Sequence, residues 1–252
     1  MTTVSASFRM TLAAVGNCGK TTIARHVLAS GGGPIATLET RSASGEEMDA
    51  TDRDGLAARL YAPPADGLVL DIGVGDAVDA LAALALVSRQ DSSLADRLRI
   101  VVPLLVDGKS VAGLRWLLAQ LPEALRPSVR AVWNRVRDDS AVRDSDIARA
   151  ARTVARQAGA RLCAPVMHES PLYDPVHALM RRYGGIAALA GIPDDEIRAA
   201  PLSDMSSLLV GRDAAQAAVA DCRAIYTAIN DPHLRCATGG VAAGSRSQSH
   251  LC

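Results

Sequence analysis

The sequence predicts an α/β fold in which a mostly parallel central sheet is covered on both sides and followed by a helical C-terminal extension from about residue 170. Three observations predict it. Short apolar runs of β type alternate with longer stretches of helical spacing. The runs are apolar on both faces, as strands buried between two helical layers must be. The first run ends in a glycine-containing loop, AAVGNCGKTT (13–22), which leads directly into a helical pattern.

The elements follow in order. FRMTLAAV (8–15) reads as the first strand, and TTIARHVLAS (21–30) as a helix stopped by Gly31, Gly32 and Gly33. PIATLE (34–39) is a short second strand, followed by a polar loop and a helix near 51–61. GLVLDIG (67–73) is an apolar run closed by an acid, and DAVDALAALALVSR (76–89) has helical spacing. RIVVPLLV (99–106) and SVRAVWNRV (128–136) are two further strands, separated by the helix SVAGLRWLLAQL (110–121). A long Arg-rich helix near 141–159 leads to the short strand RLCAPV (161–166). Beyond 170 the pattern turns helical, with DAAQAAVADCRAIYTAI (213–229) the clearest case. Residues 1–236 read as a single domain, and the small, polar, Gly/Ser-rich stretch 237–252 is expected to be disordered.

Bulk properties exclude several classes. A chain of 252 residues, 49% of them hydrophobic, is long enough for one sizeable core or two small domains and is not a disordered composition. Lys and Arg number 27 and so do Asp and Glu, so no global field draws the chain to nucleic acid or acidic lipid. Such binding requires a local patch. No apolar run reaches membrane length, so no stable membrane insertion is expected. The first residues, MTTVSASFRM, lack a secretory pattern. The five cysteines have no CxxC spacing, and their odd number fits reduced thiols and a cytoplasmic setting.

Loop 13–22 has the parts of a phosphate cradle. Such a cradle needs inward-turned backbone N–H groups, a Lys for the outer phosphates and a hydroxyl for Mg²⁺. Gly16 and Gly19 give the backbone freedom, with Asn17 and Cys18 between them. Lys20 supplies the charge, Thr21 the hydroxyl at the metal position, and Thr22 continues into the helix. The usual entry glycine is replaced by Ala14. A plain glycine turn capped by Thr21 is the alternative, and the strand–loop–helix context favours ATP or ADP phosphate binding. Asp71, closing LVLDIG ahead of Gly73 and Gly75, is placed to hold Mg²⁺ through water. It could instead cap the following helix, although Asp76 stands nearer that helix start.

VGNCGKTTIARHVLA, ADGLVLDIGVGDAVDAL, VVPLLVDGKSVAGLRWLLAQL and AVWNRV follow one another in an order that resembles the ParA/MinD-like partition ATPases. Within these the chain is most similar to the plasmid stability StbB type found on conjugative plasmids. The likeness covers about residues 8–180. It implies a P-loop NTPase three-layer αβα sandwich that binds ATP and Mg²⁺ through residues 16–22, with Thr21 and Asp71 managing the metal. It also implies adenine recognition by Asn134, a homodimer when ATP is bound, and a small plasmid-encoded DNA-binding partner. An Asn at a strand's carboxyl end is well placed for a base contact and is equally a common turn residue.

The departures from that family bear on activity. Partition ATPases carry a second Lys near the loop's start that reaches across a dimer, and the aligned residue here is Val15. Their first switch region has an acid that positions water; Glu39 lies in the neighbourhood, but the aligned residue is Arg41. Glu46 and Glu47 substitute only if their loop folds inwards, the alternative being a solvated acidic loop. Cys18 has no His partner nearby in sequence to make it a nucleophile. With positioning supplying most of the catalysis of phosphoryl transfer, slow hydrolysis is expected.

Other residues are weighed the same way. Arg149, Arg152 and Arg156, with Arg143 nearby, recur at helical spacing and could contact DNA nonspecifically, although Asp144 and Asp146 dilute the stripe. His168 lacks a partner at metal-ligand spacing and reads as a loop histidine. Ile225 and Tyr226 read as core or dimer packing. Besides the nucleotide switch, two readings stand: a P-loop small-molecule kinase, for which Arg181 and Arg182 are available but no lid insertion is visible, and a non-catalytic nucleotide-binding interaction module.

Overall fold

The computed structural model describes residues 8–28, 35–38, 53–61, 67–169, 178–179 and 182–231. The sheet contains β1 (Phe8–Thr11), β2 (Ile35–Leu38), β3 (Leu68–Ile72), β4 (Leu98–Leu104), β5 (Val129–Val136) and β6 (Arg161–Leu162) in the order β2-β3-β1-β4-β5-β6. A further short strand, β7 (Met167–His168), also pairs with β5, and all these pairings are parallel. Strand β1 lies between β3 and β4, with Thr11 in register with both Asp71 and Val101. The chain builds one half of the sheet through β2 and β3, then crosses β1 to build the other half. The direction therefore reverses at β1, where an open parallel sheet leaves a crevice beyond its carboxyl ends.

Helices cover both faces. Helices α2 (Arg53–Tyr61), α3 (Ala77–Gln90), α5 (Gly108–Gln120) and α7 (Asp146–Gln157) pack on one face, with the short α4 (Leu94–Arg97) at its amino-terminal rim. Phe8, Met10, Leu70, Ile100, Ala131 and Trp133 point into this core at the strand period of two. The other face is covered by α1 (Lys20–Thr22), its π-helical continuation (Ile23–Leu28), and the carboxyl-terminal half of the long α10 (Leu202–Asn230). Ile23, Val27, Val101, Val132, Ile225 and Ile229 form that second core. Thr11, Asp71 and Asn134 are buried polar residues whose strand positions place them on this second face, beneath α1. The amino-terminal half of α10 makes a third cluster with α8 (Ile186–Ala190) and α9 (Asp194–Ala199), the helical extension expected from the sequence.

Three expectations change. The single helix expected near 141–159 is two, α6 (Asp139–Arg143) and α7, because extended Ser145 interrupts it and its Oγ accepts a hydrogen bond from the Ala148 N–H at 3.1 Å. The run RLCAPV pairs only at Arg161 and Leu162 before pairing resumes at Met167; Pro165 between them has no N–H to donate. The helix expected at 213–229 begins at Leu202, through Gly211, where an added Cβ would lie 2.5 Å from Leu179 Cδ1. Gly211 lowers local helix propensity but admits that close contact. The stretch 237–252 lies outside the described residues. Among the described residues no helix is long and apolar enough to cross a membrane.

Candidate functional site

The loop after β1 is held in shape from three directions. Asn17 and Gly19 take the left-handed backbone region, with φ of 56° and 81°. The freedom assigned to Gly16 is used instead by Asn17, a residue type that tolerates that region. The Cys18 thiol donates to the Val15 carbonyl at 3.2 Å across the loop, and Ile23 N–H closes the first turn onto the Gly19 carbonyl at 3.0 Å. From beneath, the Asn134 side-chain amide donates to the Cys18 carbonyl at 2.7 Å. The approach is so close that a Cβ on Gly19 would sit 2.1 Å from Asn134 Nδ2. On the outer side, Val15 and Ala14 face α5, where a Cβ on Gly113 would meet Val15 Cγ2 at 3.0 Å and Ala14 Cβ at 3.4 Å.

The loop opens onto a cleft of about 680 Å³, a volume within the range that takes small-molecule ligands. One wall is Gly16, Asn17 and Gly19 with Lys20, Thr21 and Thr22; the opposite wall is the stretch from Gly73 to Asp76; Arg135 completes it. Asp71 lies behind the Gly73 wall, 4% exposed, and its Oδ1 accepts the Thr11 hydroxyl at 2.6 Å. Asp76 stands at the start of α3, but its side chain makes no capping hydrogen bond, and it lines the cleft instead. Burial pushes the Cys18 thiol above its ordinary pKa against the opposing pull of Lys20, so it stays protonated at neutral pH. It is a structural donor, as its missing His partner suggested.

Asn134 was expected at the adenine edge. The structure places it at 3% exposure under the loop, its amide nitrogen committed to Cys18. Arg135 and Asp76 line the cleft without having been singled out for it. Arg135 gave no signal because it follows the polar Asn134 between the apolar Trp133 and Val136, so the alternation does not say which of the two polar residues leaves the sheet. Glu39, Arg41, Glu46 and Glu47 lie outside the described residues.

The Arg stripe lies at a second cleft of about 760 Å³, between α7, the β6–β7 connection and α10. Arg149 pairs with Asp146, Arg143 with Asp139 at 3.0 Å, and Arg152 donates to the Val142 and Arg143 carbonyls at 3.3 and 2.6 Å. These guanidinium groups thus have partners within the chain. His168 is more than a loop histidine, since its Nε2 lies 3.0 Å from Asp139 and its Nδ1 3.0 Å from Asp221. Ile225 is fully buried, and the Tyr226 hydroxyl accepts from Arg9 at 3.0 Å, which makes both packing residues. Among the described residues no cluster of three or more His, Cys, Asp or Glu could hold a metal. No protein-family model matches the chain, and no curated protein matches it at a significant level.

Proposed function

We propose that this chain binds Mg·ATP in the loop between β1 and α1 and works as a nucleotide-operated switch of the ParA/MinD-like, StbB-type kind on the P-loop NTPase fold. One observation carries the reading. A loop with two left-handed residues is held by Cys18 and Asn134 over a cleft that presents Lys20 and Thr21, with Asp71 at the end of the neighbouring β3 accepting the Thr11 hydroxyl. Loop N–H groups and the Lys20 ammonium would share the phosphate charge. The residues fit Mg²⁺, which in such a site takes a hydroxyl, phosphate oxygens and waters, and so needs no cluster of carboxylates. Thr21 would ligate it, and Asp71, oriented by Thr11, would hold one of its waters. The ion would neutralise charge on the outer phosphates.

Hydrolysis would be slow. Val15, which stands where the family has its dimer-crossing Lys, is packed beside Gly113 of α5. The kinase alternative draws no support from Arg182, which pairs with Asp204 at 3.8 Å and lies over Tyr183 rather than lining the cleft. A switch in plasmid stability, partition or conjugative transfer, forming a homodimer with ATP and engaging a small DNA-binding partner, is the function we assign.

Titration calorimetry tests the binding. Mg·ATP should give heat with the wild type, and Lys20→Ala should weaken binding at least about 30-fold, the loss of a hydrogen-bonded charge pair. Equal heats for the two proteins would refute the site. Light scattering with a non-hydrolysable ATP analogue should show the mass doubling, and an unchanged mass would remove the dimer from the reading.

A further inference from the structure

The cleft of about 760 Å³ at the outer edge of the sheet shares no lining residue with the loop cleft. It opens where the chain leaves the ladder, between Cys163, whose N–H still donates to the Ala131 carbonyl at 2.8 Å, and Met167. Helix α7 stands on one side of this gap and α10 on the other. Trp133, Val142, Leu162, Pro165 and Val166 supply its apolar lining. From α7 it is lined by Arg149, Thr153 and Arg156, which helical spacing sets on one face, with Arg152 beside them.

The charge left over in this cleft is cationic. Both carboxylates of the lining are taken: Asp139 by Arg143 and His168, Asp221 by the ring and the backbone N–H of His168. Arg152 ties α7 to α6 through two carbonyls, and the largely exposed Arg149–Asp146 pair holds its guanidinium only weakly. Among the described residues neither the Arg156 guanidinium nor the Thr153 hydroxyl makes a hydrogen bond or ion pair. A cavity of this size, with apolar walls and a few polar groups, suits a small molecule. A planar guanidinium matches a carboxylate, and one uncommitted cation matches a singly charged head. We infer that this cleft is a second binding site, for a small carboxylic acid whose apolar body lies against Trp133 and its neighbours and whose carboxylate is held by Arg156 and Thr153. The inference does not rest on the loop reading.

Titration calorimetry on the full chain tests it with octanoate and 2-naphthoate, and with octanol and acetate as counterparts lacking the charge or the body. At least one of the two acids should bind about 10-fold or more tighter than octanol and acetate, and the tighter acid tells whether the cleft takes a chain or a ring. Arg156→Gln should remove about 10-fold for the acids and leave octanol unchanged. Ala224 lines the cleft from an exposed position on α10, so Ala224→Trp should fill it and abolish binding at an unchanged melting temperature. Saturating Mg·ATP should leave the acids' affinity unaltered, and so should Lys20→Ala. No heat from either acid, equal affinity for octanol, an Arg156→Gln protein that binds like wild type, or binding that survives Ala224→Trp would each overturn the inference. Displacement of the acid by Mg·ATP would also overturn it, by making this cleft part of the nucleotide site.

Discussion

Gly19 and Thr11 each carry a small atom-level requirement with a large consequence. At Gly19 the left-handed backbone and the 2.1 Å approach to Asn134 Nδ2 forbid a side chain on two separate grounds. Gly19→Ala should break the Asn134–Cys18 hydrogen bond, cost about 1–3 kcal/mol in urea denaturation and abolish Mg·ATP binding. A variant as stable as wild type would mean that the loop relaxes freely. Thr11 is fully buried and supplies a hydroxyl to Asp71. Thr11→Val keeps the shape, removes the donor, and should cost about 1.5–3 kcal/mol, with Thr11→Ser recovering most of it. Equal stabilities for the valine and serine variants would show that the bond contributes little.

Caps and bulges decide where the elements stop, and each does so through one or two side chains. The break between α6 and α7 depends on Ser145, whose Oγ accepts from Ala148 N. Ser145→Ala should destabilise the protein by about 1 kcal/mol, read as a shift in denaturation midpoint at constant slope. A changed slope instead would mean that the two helices had merged or frayed. Asp107 does the same for α5, its side chain accepting from Ser110 N at 2.7 Å. At the other extreme, the 29-residue α10 joins two separate cores, one on the sheet and one with α8 and α9. Its stability comes from burial at both ends, which is why the glycine inside it does not end it.

Across the whole molecule, His168 ties three elements together. It takes Asp139 of α6 on one ring nitrogen and Asp221 of α10 on the other, while its own backbone N–H donates to Asp221 at 2.9 Å from β7. Partial burial disfavours its charged form, but the two carboxylates outweigh that and hold its pKa above the ordinary 6.5. A raised folded-state pKa contributes stability that is fully present below about 6.5 and is lost as pH rises through the folded value. The stability gap between wild type and His168→Ala should therefore be widest below about pH 6.5 and narrow as pH rises through the folded value. The ring is half exposed, so solvent screening keeps the gap modest. A gap that stayed constant over that range would argue that the ring acts by packing alone.

The sequence by itself determined the order of strands and helices, the parallel sheet and the place of the loop, because apolar periodicity and glycine position are local signals. It located Lys20, Thr21 and Asp71 on the same grounds. Contacts between distant segments left no such trace. Nothing local says that Asn134 would reach 116 residues back to Cys18, or that β5 would bulge at Arg135, or that Val15 would pack on Gly113. Those were decided only by the tertiary structure, where a buried amide must find a partner and a strand must keep both its cores filled.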